Sequence, residues 1–201
     1  MPRLEFLKLS LPALAVGTML ITSSAIAQDS AADGAISDDV AAILANISEA
    51  GEKLVALAEA TPADKFSWSP TEEVRTISEI YVHVIGTNLL LPSALGAAPP
   101  EGLEMTDSPF AMASEWEKTL TAKEDVIAKL RESFDYVGSA LATIADLDTE
   151  VALFGPPSSK RSYFLIIMTH AHEHLGQSIA YARTVGITPP WSQPAPAASE
   201  E

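Results

Sequence analysis

The 201-residue chain contains no cysteine, and this absence excludes several features at once. The protein can form neither a disulfide scaffold nor a thiolate metal site, and it has no cysteine to which a lipid could be attached. We therefore expect a fold that does not depend on the redox state of its surroundings. Any metal site must use nitrogen and oxygen ligands.

Basic side chains are also scarce. The chain has 12 lysines and arginines against 27 aspartates and glutamates, which gives a formal net charge of −15 at pH 7. A surface of this sign repels the phosphates of nucleic acids and the headgroups of anionic lipids. The charge balance therefore argues against nucleic acid or a membrane surface as a partner, and we expect a small molecule of unknown identity instead.

Residues 1–27 have the pattern of a secretory signal peptide. Arg3 and Lys8 precede an apolar run at residues 9–21, and residues 25–27 (Ala-Ile-Ala) fit the small-residue rule for cleavage. An uncleaved membrane anchor is the alternative, but the proline, glycine, threonine and serine content of this segment makes it a poor span. We therefore expect a periplasmic or secreted protein. Removal of the segment, whose own net charge is +1, would leave a net charge of −16.

Helical periodicity dominates the rest of the chain. Residues 28–36 are small and polar and are predicted to form a flexible leader. Apolar side chains then recur at helical spacing in four segments, which are residues 37–60, 71–92, 111–145 (with Gly138 as a candidate break) and 160–185. No strand-like alternation is visible. Residues 37–187 are therefore predicted to form an all-α four-helix bundle, and residues 188–201 a proline-rich acidic tail without a core.

The four histidines are concentrated in two of these segments. His170 and His174 are one turn apart on the same face of the last predicted helix, whereas His172 lies about 200° round the helix from His170. Two imidazoles rarely make a functional metal site, so a third ligand must come from elsewhere, and His83 is the only imidazole left. The alternative is that these are hydrogen-bonded core histidines or a solvated patch, and the spacing alone leaves both interpretations open.

The cluster does not match the zincin motif. Glu173 follows His172, but Gly176 stands where the second histidine of His-Glu-x-x-His would be. A zincin-type metalloprotease is therefore excluded, and Glu173 is not expected to act as a general base.

Together these residues resemble the DinB/YfiT-like superfamily. The likeness begins at residues 68–70 (Trp-Ser-Pro) and includes His83. Its most specific part is residues 170–177 (His-Ala-His-Glu-His-Leu-Gly-Gln), followed by residues 186–190 (Gly-Ile-Thr-Pro-Pro). The resemblance covers most of the chain after the signal peptide and implies a four-helix bundle of the DinB/YfiT-like type.

The resemblance also implies a divalent metal held by His83, His170 and His174. Zinc and nickel are the ions we expect first, with iron and manganese as alternatives. Members of the superfamily often carry a histidine where this chain has Glu173. Because that position is not the usual ligand, the departure leaves the predicted triad intact.

The activities that the resemblance implies are divided. Characterised members include thiol-dependent transferases and isomerases, and others are assigned only provisionally as metal-dependent hydrolases. Small thiols are chiefly cytosolic, so export favours a hydrolase over a thiol-dependent transferase. The alternative from a different class is a non-catalytic module that binds a metal or a small ligand. Members often pair, so a homodimer is the oligomer that the resemblance suggests.

Helical phase places further polar side chains near the triad. Gln177 is a candidate for supporting the ligands, and four others are candidates at or near the site: Glu79, Asn88, Tyr163 and Tyr181. For these four, ordinary packing is the interpretation we favour.

Overall fold

The computed structural model describes residues 37–193. The predicted signal peptide, the predicted leader and most of the predicted tail therefore lie outside the described residues. The elements are α1 (Asp38–Ala60), α2 (Ile77–Ala94), α3 (Pro109–Thr119), α4 (Lys123–Thr143), β1 (Glu150–Val151), β2 (Ser158–Ser159) and α5 (Lys160–Thr184), with single 3-10 turns at Ala63–Lys65 and Pro190–Ser192. The predicted all-α class is confirmed. None of the helices between residues 37 and 193 has the length and apolar character needed to cross a bilayer.

Four long helices pack into a bundle, and the fifth lies on its outside. Helix α1 packs against α4 and α5, α2 packs against the same two helices, and α3 packs against α2. Two clusters of buried side chains fill the interior. The first includes Leu54, Tyr81, Ile85 and Leu130, and the second includes Ile47, Val137, Phe164 and Ile167. Burying each such side chain stabilises the fold by about 1.5–3 kcal/mol, so the amphipathic pattern of the sequence accounts for the bundle.

Helix α2 begins at Ile77, later than the predicted start at Thr71. The true start is a capping box, in which the backbone N–H of Glu79 donates to Thr76 Oγ1 at 3.2 Å and the backbone N–H of Thr76 donates to Glu79 Oε2 at 2.7 Å. This exchange gives a hydrogen-bond partner to two backbone N–H groups that have none within the helix. The preceding segment instead turns back, and the N–H of Ile77 donates to the carbonyl of Trp68.

The predicted long helix over residues 111–145 is wrong, because the chain forms two helices there. The break lies at residues 120–122 and not at Gly138, which stays inside α4. Leu120 and Ala122 leave the helical conformation, and the ammonium of Lys123 donates to the carbonyls of Glu59 at 2.8 Å and Thr61 at 2.7 Å. These contacts satisfy carbonyls at the end of α1 and allow α3 to pack separately against α2.

The connection at residues 146–159 contains a short antiparallel pair, β1 with β2, that the sequence analysis did not predict. Tyr163, in the first turn of α5, holds this hairpin. Its hydroxyl accepts from the N–H of Leu153 at 3.1 Å and donates to the carbonyl of Val151 at 3.2 Å. The hydroxyl of Tyr163 is therefore occupied in the hairpin and is not a group at the mouth of the histidine cluster.

Candidate metal centre

The structure brings together the three histidines that the sequence singled out. His83 comes from the middle of α2, and His170 and His174 come from the middle of α5. One nitrogen of each ring lies within 4.8 Å of the other two. The Nε2 atoms of His83 and His170 are 3.1 Å apart, and the centroids of the His170 and His174 rings are 4.4 Å apart. His172 points elsewhere, with its Nδ1 bonded to a backbone carbonyl on the exposed side of α5.

The packing of α2 against α5 explains this convergence. His170 and His174 lie one turn apart on α5 beside the buried positions Ile167 and Ala171, so both rings are directed to the margin where α2 passes. One turn beyond His83 on α2, Thr87 Oγ1 lies 3.4 Å from His170 Nε2. The ligands and one hydroxyl therefore share a single boundary between two helices.

The outer nitrogen of His83 is held by a carboxylate. Its Nδ1–H donates to Glu117 Oε1 at 2.9 Å, and the other oxygen of Glu117 accepts from Arg75 Nε at 2.9 Å. A carboxylate on one ring nitrogen fixes the tautomer, leaves the other nitrogen bare and raises its strength as a ligand. Sequence spacing does not reveal Glu117, because this residue is 34 positions from His83 and lies on a different helix.

The outer nitrogen of His174 is held by an amide. His174 Nδ1 donates to Gln177 Oε1 at 2.8 Å, and Gln177 Nε2 lies 3.4 Å from the hydroxyl of Tyr181. Gln177, which helical phase made a candidate for a supporting role, therefore contacts a predicted ligand. The ring of Tyr181 packs edge-on against Trp68 at 5.4 Å between centroids. Tyr181, which lies beside the amide of Gln177, is therefore itself held by packing.

The third ring, that of His170, has no such partner. Its Nδ1 is buried and has no hydrogen-bond partner among the described residues. Burial lowers the pKa of His170 to about 3, and the neighbouring His174, His83 and Arg75 contribute in the same direction. Burial also lowers the pKa of His83, with Arg75 as the second cause. Both rings are therefore neutral near pH 7, which is the form that binds a metal.

These residues fit a divalent ion. With metal–nitrogen distances of 2.0–2.1 Å, tetrahedral ligand nitrogens are about 3.3 Å apart, close to the 3.1 Å between His83 Nε2 and His170 Nε2. Neutral imidazoles suit zinc, nickel and iron alike. The group consists of three histidines without a carboxylate, and three protein ligands with an open position are characteristic of catalytic metal centres.

Two further sequence candidates have structural roles. The carboxylate of Glu79 caps the start of α2. Asn88 is buried between α2 and α4, where its amide donates to Ser133 Oγ at 3.1 Å. Packing is therefore their role, which is the interpretation that the sequence analysis favoured for them.

Comparison with known proteins agrees with this architecture. A family model described as "DinB superfamily" matches residues 46–178, which is more than half of the chain. The chain belongs to the DinB superfamily. The matched span contains all three histidines together with Glu117 and Gln177, so the candidate metal centre lies within the family domain. Among curated proteins, none matches this sequence.

Solved structures share the DinB fold at low sequence identity. A DinB-like protein from Bacillus cereus ATCC 10987 has a TM-score of 0.60 at 17% identity, covering 74% of this chain and 93% of that one. A DinB-like protein from Bacillus subtilis has a TM-score of 0.57 at 21% identity, covering 77% and 96%. A conserved protein from Enterococcus faecalis has a TM-score of 0.58 at 16% identity, covering 75% and 98%. These likenesses show the fold.

Proposed function

We propose that this DinB-superfamily protein binds one divalent metal ion on His83, His170 and His174 and hydrolyses a small molecule outside the cytoplasm. The observation that carries the proposal is the convergence of three imidazoles from α2 and α5 with no carboxylate among them. Such a set would hold the ion and keep a position open for a substrate. Zinc and nickel are the ions that we expect first.

The surrounding side chains would hold the ligands in place. Glu117 and Gln177 each accept a hydrogen bond from the outer nitrogen of a ligand ring, at 2.9 and 2.8 Å, so the bare nitrogens are kept in one orientation. Thr87 supplies a hydroxyl 3.4 Å from His170 Nε2, where it can orient a water or a polar group of the substrate. A bound divalent ion would supply Lewis-acid activation of that water.

The compartment favours hydrolysis over thiol transfer. The signal-peptide pattern of residues 1–27 supports export, and small-molecule thiols are chiefly cytosolic reagents. We therefore place the protein in the periplasm or outside the cell. Cell fractionation, with the mass of the mature chain, tests this directly: export predicts a soluble extracytoplasmic protein that begins at Gln28. Retention of residues 1–27 in a cytoplasmic protein would contradict it.

The metal proposal is tested by the metal content of the purified mature protein. Mass spectrometry should find about one divalent ion per chain, as expected for one three-ligand centre, in the wild type and in the matched control His172→Ala. It should find almost none in His83→Ala or His170→Ala. Metal that is unaffected by His83→Ala would show that α2 does not contribute to the site.

Catalysis is tested separately on panels of esters, amides and thiol substrates. Hydrolysis that is lost on chelation and restored by zinc or nickel would support the proposed enzyme. Turnover only with a thiol co-substrate would identify a transferase instead. Inactivity on every panel, combined with tight retention of the metal, would support the non-catalytic binding module.

A further inference from the structure

Arg75 is tied to the candidate metal centre through a single carboxylate. Its Nε–H donates to Glu117 Oε2 at 2.9 Å, and Oε1 of the same carboxylate accepts from His83 Nδ1 at 2.9 Å. Glu117 is largely covered, with 14% of its side chain exposed. The guanidinium is therefore held by Glu117, and Glu117 in turn holds the predicted ligand His83.

Most of the donors of this guanidinium are unused by the protein. Arginine has five N–H donors, and the bond to Glu117 uses the one on Nε. The hydrogen bonds of residues 37–193 include no acceptor for the four donors on its terminal nitrogens, and 41% of the side chain is exposed. Arg75 therefore presents an open, planar fork of donors beside the carboxylate that holds the outer nitrogen of His83.

Arg75 also brings a positive charge to the neighbourhood of the predicted ligands. Burial is the main cause of the lowered pKa of His83 and of His170, and the positive charge of Arg75 contributes to both. The charge of Arg75 is paired with Glu117, so its capacity to bind an anion rests on the four unused donors of its fork.

We infer that Arg75 binds a carboxylate of the substrate, so that the substrate is a small carboxylic acid whose reacting group lies at the metal. The inference rests on the proposed function. A guanidinium fork matches the two oxygens of a carboxylate, and such charge-assisted pairs are stronger than neutral hydrogen bonds. Arg75 would be a specificity residue: it binds a part of the substrate that does not react. The simpler alternative is that Arg75 only holds Glu117 in place.

Binding of two matched thiols to the cobalt(II)-loaded mature protein separates these alternatives. The probes are 3-mercaptopropionate, which carries a carboxylate, and 2-mercaptoethanol, which does not. Coordination of either thiolate would appear as a charge-transfer band in the near ultraviolet. In the wild type we expect 3-mercaptopropionate to bind about 10- to 100-fold more tightly, as for one hydrogen-bonded pair of charges.

The ratio of the two dissociation constants is the decisive measurement in the variants. Arg75→Gln should bring the ratio close to that of the free thiols with cobalt. Arg75→Lys, which keeps the charge and loses the fork, should retain part of the preference. Arg131→Gln is the matched control, because Arg131 is also an exposed arginine paired with a glutamate, Glu59. It should keep the full preference.

Each contrary result has a separate meaning. Equal binding of the two thiols to the wild type, or an equal weakening of both in Arg75→Gln, would make Arg75 a support for Glu117 and overturn this inference while the metal centre stands. A cobalt spectrum that neither thiol changes would show that no ligand position is open. That result would overturn the proposed hydrolase and the role of Arg75 with it.

Discussion

The two halves of the candidate metal centre are held in different ways. On α5, the ligands His170 and His174 and the supporting Gln177 all belong to one helix, so forming the helix brings them together. On the other side, His83 depends on Glu117 from α3 and, through it, on Arg75. The support of His83 exists only when α3 is packed against α2. The α5 half is therefore built by contacts within one helix, and the His83 half is supported by contacts between helices. Perturbations of α3 should affect only the His83 half.

The largest effect should come from removing a ligand of either half. His83→Ala and His174→Ala should each weaken metal binding by more than about 100-fold, above the range found for supporting residues. Competition with a chromophoric chelator measures this affinity. A centre that still bound metal tightly after His83→Ala would be an α5 site alone, and the two-half description would fail.

A smaller effect should follow when the supports are removed, and it should differ between the halves. Glu117→Ala should weaken metal binding by about 10- to 100-fold. Gln177→Ala should weaken it less, because a neutral amide accepts a weaker hydrogen bond than a carboxylate does. The same competition assay compares the two variants. Equal losses would mean that the charge of Glu117 adds nothing to the support it gives.

A substitution far from both halves should change stability without changing the metal affinity. A Cβ at Gly51 would lie 2.7 Å from the ring of Phe134, between α1 and α4. Gly51→Ala should therefore lower the free energy of unfolding by about 1–3 kcal/mol, the usual cost of overpacking. Gly176→Ala is the control, because no atom lies within 4 Å of its Cβ position, and it should be neutral or slightly stabilising. Urea unfolding of the metal-free protein measures both, and a stable Gly51→Ala would contradict the close packing of α1 on α4.

The smallest effect should come from the start of α2, next to Arg75. Thr76→Ala removes the side-chain acceptor for the N–H of Glu79 and should cost about 1 kcal/mol of stability. Thermal unfolding, compared with Thr71→Ala at the wrongly predicted start, measures this cap. A larger loss of stability in Thr71→Ala than in Thr76→Ala would indicate that the helix begins at Thr71.

The same contrast explains what the sequence could predict. Helical period alone placed His170, His174 and Gln177 on one face, because those relations lie within one helix. His83 was reached only by elimination and by resemblance to the family. Glu117 and Arg75 were not found, since their contact depends on how α3 and the segment before α2 pack, and no periodicity in the sequence records that packing.

The errors in the helix boundaries have a similar origin. Thr71 followed by two glutamates is a good start signal, yet Thr76 with Glu79 is the pair that forms the cap. The break at residues 120–122 is fixed by Lys123, whose ammonium reaches the end of α1 more than 60 positions away. A local capping box therefore fixes the first boundary, and a distant contact fixes the second.

The position of α3 outside the bundle gives this fold a way to vary. Because α3 carries the carboxylate behind His83 but does not contribute to the deeply buried core, substitutions along α3 can adjust how firmly a metal is held while the ligands and the bundle stay unchanged. If the proposed metal binding holds, changes in one surface helix would tune metal occupancy while the three histidines stay the same.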